Sequence, residues 1–151
     1  MSVKPIPDGY HSITPYLIVE EADKLLEFIE KVFGGQLLHK MQTDEGKIGH
    51  AEVKIGDSIL MLSEACEEWK PTQTWLYLYV EDIDAIYQKA IEAGAISIKE
   101  PENQFYGDRR ATIKDISGSF WGIATHVEDV SEEEMNRRMS AEAEKSSAAN
   151  Q

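Results

Sequence analysis

The chain has 151 residues, one domain's worth and enough to bury a core without disulfides or a structural metal. Its 15 basic and 28 acidic residues give a net charge of −13, which excludes the positive field that draws phosphate backbones or anionic lipid, so neither nucleic acid nor a membrane is an expected partner. No apolar run is longer than a strand, and the single cysteine, Cys66, permits no internal disulfide, so a cytoplasmic location is the expectation.

Pro5, Pro7 and Gly9 deny residues 1–10 a regular helix or a central strand and predict an extended lead-in. Ile13–Val19, rich in β-branched and aromatic residues, reads as a strand; Glu21–Phe33 follows with Leu25, Leu26, Phe28, Ile29, Val32 and Phe33 at helical spacing. Gly34-Gly35 stops that helix, because glycine takes the left-handed conformation of a C-terminal cap. Gln36–Gln42, Gly49–Ile55 and Ser58–Ser63 read as an antiparallel meander broken by the turns Asp44-Glu45-Gly46 and Gly56-Asp57. Polar Glu64–Gln73, with Pro71, is a loop. The series then repeats: strand Trp75–Val80, helix Ile83–Ala93 with Gly94 as its stop, and strands Ala95–Lys99, Arg110–Lys114 and Ser119–Thr125. Residues 128–151 hold seven acidic and three basic residues, with Ser131 and Glu134 in capping-box spacing, and predict a short helix over Ser131–Ser140 before a frayed polar tail. This terminus reads first as a solvated face and second as a partner-binding arm.

At an offset of 60 to 61 residues, Tyr16, Leu17, Val19, Glu20 and Asp23 fall on Tyr77, Leu78, Val80, Glu81 and Asp84, while Gly34, Ala51 and Lys54 fall on Gly94, Ala111 and Lys114. Two tandem βαβββ modules follow, 11–66 and 73–127, set between the lead-in 1–10 and the acidic segment 128–151. Each module leaves a sheet face in need of cover. The predicted fold is therefore α+β, with the two modules forming a cupped mixed sheet around a cavity and the helices on its outer face.

This pattern, with the helix ends Lys31-Val32-Phe33-Gly34 and Glu92-Ala93-Gly94, resembles the vicinal oxygen chelate superfamily, also called the glyoxalase/bleomycin-resistance/dioxygenase superfamily, over residues 11–127. Tyr10-His-Ser-Ile-Thr-Pro-Tyr-Leu, His50-Ala-Glu-Val-Lys-Ile-Gly-Asp-Ser, Gln104-Phe-Tyr-Gly-Asp-Arg and Ile123-Ala-Thr-His-Val-Glu-Asp-Val-Ser resemble its PhnB-like branch. The resemblance implies a cupped cavity and a homodimer. In the superfamily's enzymes it also implies a divalent metal that chelates neighbouring oxygens of the substrate, typically held by two histidines and two glutamates on the first and last strands of each module. Those places fall here on Thr14, Met61, Trp75 and Gly122, none of which offers a carboxylate or an imidazole. No cofactor is therefore expected, a divalent metal would need a non-standard site, and glyoxalase and dioxygenase activities are disfavoured.

Strand alternation sets Trp75, Tyr77 and Tyr79 on one face and Leu76, Leu78 and Val80 on the other. The aliphatic set suits a helix. The aromatic set, with Tyr16, Ile59, Met61, Ser63 and Phe120, is then expected to face the cavity, where it either stacks on a flat organic molecule or simply fills a core. In Gln104–Arg110, Tyr106, Arg109 and Arg110 can clamp a carboxylate or phosphate, or can form a structural turn in which Asp108 pairs with Arg109. The ligand-binding candidates are thus Tyr16, Met61, Trp75, Tyr77, Tyr106, Arg109 and Phe120.

His50 and Glu52 share a strand face and form a candidate acid/base couple, a pair of metal ligands, or a surface pair. His11, His39 and His126 are isolated, with His126 beside Glu128 reading as a hydrogen-bonded edge, and Cys66 sits beside Glu67 and Glu68, which oppose a thiolate. No phosphate loop, nucleophile elbow, His-Glu-x-x-His or Cys-x-x-Cys occurs. These observations point to a protein that binds a small aromatic or amphipathic molecule without a metal. The alternatives are a lyase, isomerase or dioxygenase relative with a displaced site near His50 and Glu52, or an interaction module acting through the acidic terminus. Whether the chain is an enzyme stays open at this point.

Overall fold

In the computed structural model, which describes residues 2–149, β1 covers Tyr16–Val19 rather than the predicted Ile13–Val19. Pro15 has no N–H for a ladder, so the strand starts just beyond it, although its carbonyl accepts from Met61 N–H at 2.9 Å. Helix α1, Ala22–Phe33, buries Leu25, Ile29 and Val32 along one stripe and Leu26 and Phe28 beside it. Its entry is held by Glu64, whose carboxylate accepts the Glu21 and Ala22 N–H groups at 2.8 and 3.3 Å. Gly34 closes it in the left-handed region at φ 67°, the conformation expected of that glycine. Strands β2 (Gln36–Gln42), β3 (Ile48–Ile55) and β4 (Ser58–Glu64) form the expected meander, and β1 joins β4 in parallel, giving the order β1-β4-β3-β2.

Module two repeats this plan with β5 (Trp75–Tyr79), α2 (Ile83–Glu92), β6 (Ile96–Asn103), β7 (Asp108–Lys114) and β8 (Phe120–His126), in the order β5-β8-β7-β6. β6 runs past the predicted Lys99 because Pro101 lies on an edge strand, where its missing N–H costs little. The registers confirm the duplication: Tyr16 lies opposite Met61 as Tyr77 lies opposite Gly122.

Leu17, Val19, Ala51, Val53 and Leu62 of module one and Ala111, Ile113, Trp121 and Ile123 of module two all enter one core with α1 and α2. Burial of each large member is worth about 1.5–3 kcal/mol. The Phe33 ring, at the end of α1, lies 4.7 Å from that of Trp121, so α1 bridges the modules. Trp121 donates its indole N–H to buried Asp115 at 2.7 Å, and the other Asp115 oxygen accepts from the Ser117 and Ser119 N–H groups, which ties the β7–β8 turn to the core. The expected cupped sheet is thus built as two separate four-stranded sheets whose helix-bearing sides share the core.

The C-terminal helix is longer than predicted: α3 runs over Glu132–Ala149, so most of the expected tail is helical, while Asn150 and Gln151 of that tail lie outside the described residues. Ser131 Oγ accepts Glu134 N–H at 3.2 Å, as the capping spacing implies. Arg138 ties α3 to the body by donating to the Phe105 carbonyl at 3.1 Å and to Glu128 at 2.6 Å. Beyond half-buried Ala141 the described side chains are exposed, so the helix propensity of Ala, Glu and Lys, not packing, sustains that stretch. No described helix is long and apolar enough to cross a membrane.

Candidate functional site

On module two, the face away from α2 carries a row of rings. Trp75, Tyr77 and Tyr79 are 56%, 41% and 59% exposed, although α2 and the core cover the alternating Leu76 and Leu78. Trp75 stacks on Phe120 from neighbouring β8, with centroids 4.9 Å apart and planes inclined by 17°. Arg110 of β7 completes this platform, its guanidinium carbon 5.0 Å from the Tyr77 centroid and 5.9 Å from that of Trp75. Gly122 makes the approach feasible: a Cβ there would lie 3.0 Å from Tyr77 Cδ2 and 3.1 Å from Arg110 Nε. Arg110 Nη1 donates to the Tyr106 hydroxyl at 3.4 Å, while its buried Nε has no partner among the described residues.

Beside the platform, buried Asp108 accepts from the Tyr77 and Tyr79 hydroxyls at 2.7 and 2.8 Å, and its second oxygen lies 2.9 Å from His126 Nδ1. His126 Nε2 lies 2.8 Å from Asp129. Both ring nitrogens thus face acceptors, which only an imidazolium satisfies, and the bonds to Asp108 and Asp129 raise the His126 pKa above its ordinary 6.5. Burial pushes the Asp108 carboxyl up, but the bonds from His126, Tyr77 and Tyr79 together outweigh it and hold the group below its ordinary 3.8. Burial and the bond to Asp108 in turn raise the Tyr77 hydroxyl well above 10.

Module one carries a different cluster at the equivalent place. His50, which the duplication aligns with Arg110, has Nε2 3.1 Å from Glu52 and Nδ1 3.0 Å from the Tyr16 hydroxyl. In the tautomer with its proton on Nε2, the ring donates to Glu52 and its Nδ1 accepts from the Tyr16 hydroxyl. Tyr10, from the lead-in, donates to the other Glu52 oxygen, and the His39 ring lies 6.3 Å from that of His50. The structure therefore joins Tyr16, His50 and Glu52 into a carboxylate–imidazole–phenol chain and adds Tyr10, an isolated aromatic by sequence pattern.

Arg109 does not reach the platform. It is in phase with Ala111 and Ile113, so it turns toward α2 and holds Asp84 through Nε and Nη2 at 2.8 and 3.0 Å. The two guanidiniums of the Gln104–Arg110 segment lie on opposite faces, and Asp108 pairs with tyrosines and His126 rather than with Arg109. The alternation was a signal available in the sequence, as was the alignment of Arg110 with His50. The sequence pattern did not pair Asp108 with His126, because they meet across the β7–β8 ladder, and at the expected edge His126 engages Asp129 rather than Glu128. Met61 lies opposite Tyr16 across the β1–β4 ladder, in the other sheet from the platform of module two.

The family's metal does not fit these residues. Of the four implied ligand places, Trp75 is engaged in a ring stack, Gly122 lies beneath Arg110, and Thr14 and Met61 supply no imidazole or carboxylate. Among the described residues no three His, Cys, Asp or Glu side chains converge as a metal cluster.

Residues 9–123 match the family model described as the Glyoxalase/Bleomycin resistance protein/Dioxygenase superfamily. An uncharacterized protein of Mycobacterium tuberculosis H37Rv is 29% identical over 144 residues, covering 88% of this chain and 85% of the relative. Among solved structures, the PhnB protein from Bacillus cereus superposes with a TM-score of 0.64 at 18% identity, over 76% of this chain and 99% of that one. TnmS3, an antibiotic binding protein from Streptomyces sp. CB03234, superposes with a TM-score of 0.59 at 24% identity, over 77% of this chain and 97% of its own. At these identities the structural likenesses concern the fold.

Proposed function

Because the chain belongs to the glyoxalase/bleomycin resistance protein/dioxygenase superfamily, we propose that it binds a small aromatic or amphipathic molecule on the open face of module two, without the superfamily's usual metal. The carrying observation is the platform itself: Trp75 and Phe120 stacked, Tyr77 beside them, all set on rigid strands and the first row largely open to solvent. Rings placed to fill a core would be covered, whereas exposed rings in register offer stacking area at little ordering cost. That a structural neighbour is an antibiotic binding protein agrees with this reading. In solution a second copy of the chain covers part of the open faces, forming a homodimer.

Calorimetric titration with neutral planar molecules of two or three fused rings tests the platform. Saturable binding is expected, with Trp75→Ala weakening it by about tenfold or more; binding indifferent to both Trp75→Ala and Phe120→Ala overturns the assignment. Thermal-shift titration with Zn, Ni, Mn, Fe and Co ions tests the metal-free reading, which a chelator-reversible shift lost in His50→Ala would overturn.

A second reading rests on the Glu52–His50–Tyr16 chain, which can move a proton at His50 Nδ1 or the Tyr16 hydroxyl in a lyase or isomerase step. Its test is deuterium exchange at carbon next to the carbonyl of candidate substrates. Exchange lost in His50→Gln supports it, and no exchange with any carbonyl compound counts against it.

A further inference from the structure

Among the described residues, Arg110 is the arginine left without a counter-charge. Arg109 is matched by Asp84, Arg137 by Glu134 and Arg138 by Glu128 and Glu134. Among the described residues Arg110 meets no carboxylate, and its one hydrogen bond is the long 3.4 Å contact to the Tyr106 hydroxyl. A protein with 28 acidic residues has ample means to neutralise a cation, so an unpaired guanidinium over two exposed rings needs a reason. Module one supplies the contrast. There the aligned residue is His50, and it is already engaged by Glu52.

From this we propose that the ligand of module two is an aromatic carboxylate, its ring lying on the Trp75–Phe120 platform and its carboxylate meeting Arg110. The inference rests on the platform reading above and adds the charge and position of the ligand's polar group. A planar guanidinium with free donors matches a carboxylate in fork geometry, and the rings beneath it hold the fork in place. Asp108, on the same face, does not pair with Arg110: its two oxygens take donors from Tyr77, Tyr79 and His126, and the His126 imidazolium balances its charge. The net charge of −13 works against anions at long range, but at physiological salt that field is screened beyond about 8 Å, and Arg110 acts at contact. Lys114, its Nζ 5.8 Å from the Phe120 centroid, is a further cation beside the platform.

The test compares 2-naphthoate with its neutral amide, 2-naphthamide, by calorimetry on the full chain. Wild type is expected to prefer the carboxylate by about tenfold or more, as charge-assisted hydrogen bonds imply, and the preference should shrink as salt rises. Arg110→Gln should bring the carboxylate-to-amide ratio near one, Arg110→Lys should keep part of it, and Arg109→Gln, on the opposite face, should keep all of it. Equal binding of the two probes by wild type overturns the carboxylate assignment and leaves the platform standing. A preference that follows Lys114→Gln and not Arg110→Gln overturns the role of Arg110. Failure of both probes to bind removes the platform and this inference with it. The wild-type ratio and its salt dependence decide the matter even where a variant folds poorly.

Discussion

His126 shows how a residue that reads in sequence only as a strand edge becomes a defined chemical state. Its two nitrogens lie 2.9 and 2.8 Å from Asp108 and Asp129, and the folded protein holds its proton more tightly than the unfolded chain does. The stabilisation is fully present below the ordinary value of 6.5 and is lost as pH rises through the higher folded value. Asp108 works with the opposite sign: its folded pKa lies below 3.8, so its contribution is present above that value and fades as pH falls through the folded one. Denaturant unfolding of wild type should therefore show stability declining as pH rises above 6.5 through the folded value of His126, and His126→Gln should flatten that slope. Ring-proton NMR should place the His126 titration above 6.5, and Asp108→Asn should draw it back toward that value. Parallel pH profiles for wild type and His126→Gln would refute the coupling.

Among the elements, α3 departs most from its sequence signal. Its first half is anchored, with Arg138 reaching the Phe105 carbonyl and Glu128, and with Arg137 and Arg138 lowering Glu134 to a pKa of about 2. Its second half touches little, so ending the chain after Ala141 should change stability by no more than about 0.5 kcal/mol, the usual range for exposed sites. Hydrogen exchange should find weak protection beyond Ala141 and stronger protection before it; a drop of several degrees in melting temperature on truncation would show that the distal turns are packed. The other element boundaries were legible where a local rule governs them, as at Gly34 and in the meander turns. They were missed where a partner strand decides: β6 extends to Asn103 because β7 pairs with it across Pro101, and β1 shortens because its ladder to β4 starts at Tyr16. The tail is helical to Ala149 rather than frayed from Ser140 because its Ala, Glu and Lys are good helix formers as well as polar or small.

For the molecule as a whole, the duplication made the plan of the fold legible, while the site was legible only as a face. Alternation alone put Trp75, Tyr77 and Phe120 together, but the choice of Arg110 over Arg109 required a strand phase that Ala111 and Ile113 define from the core side. The same core leaves a problem that a single chain does not solve. Because α1 and α2 join the modules through their helix-bearing sides, both other sheet faces remain open, with Tyr16, Met41, Trp75, Tyr77 and Tyr79 each more than a third exposed. In the homodimer proposed above, one copy's open faces cover another's. Light scattering on the purified chain should give twice the monomer mass at micromolar concentration, and Met41→Asp, which places a charge on exposed β2 of the other sheet, should shift the equilibrium toward monomer with little loss of monomer stability. A chain that stays monomeric at 100-fold higher concentration would mean that the open faces are kept for ligand alone, and that the platform binds without a second copy.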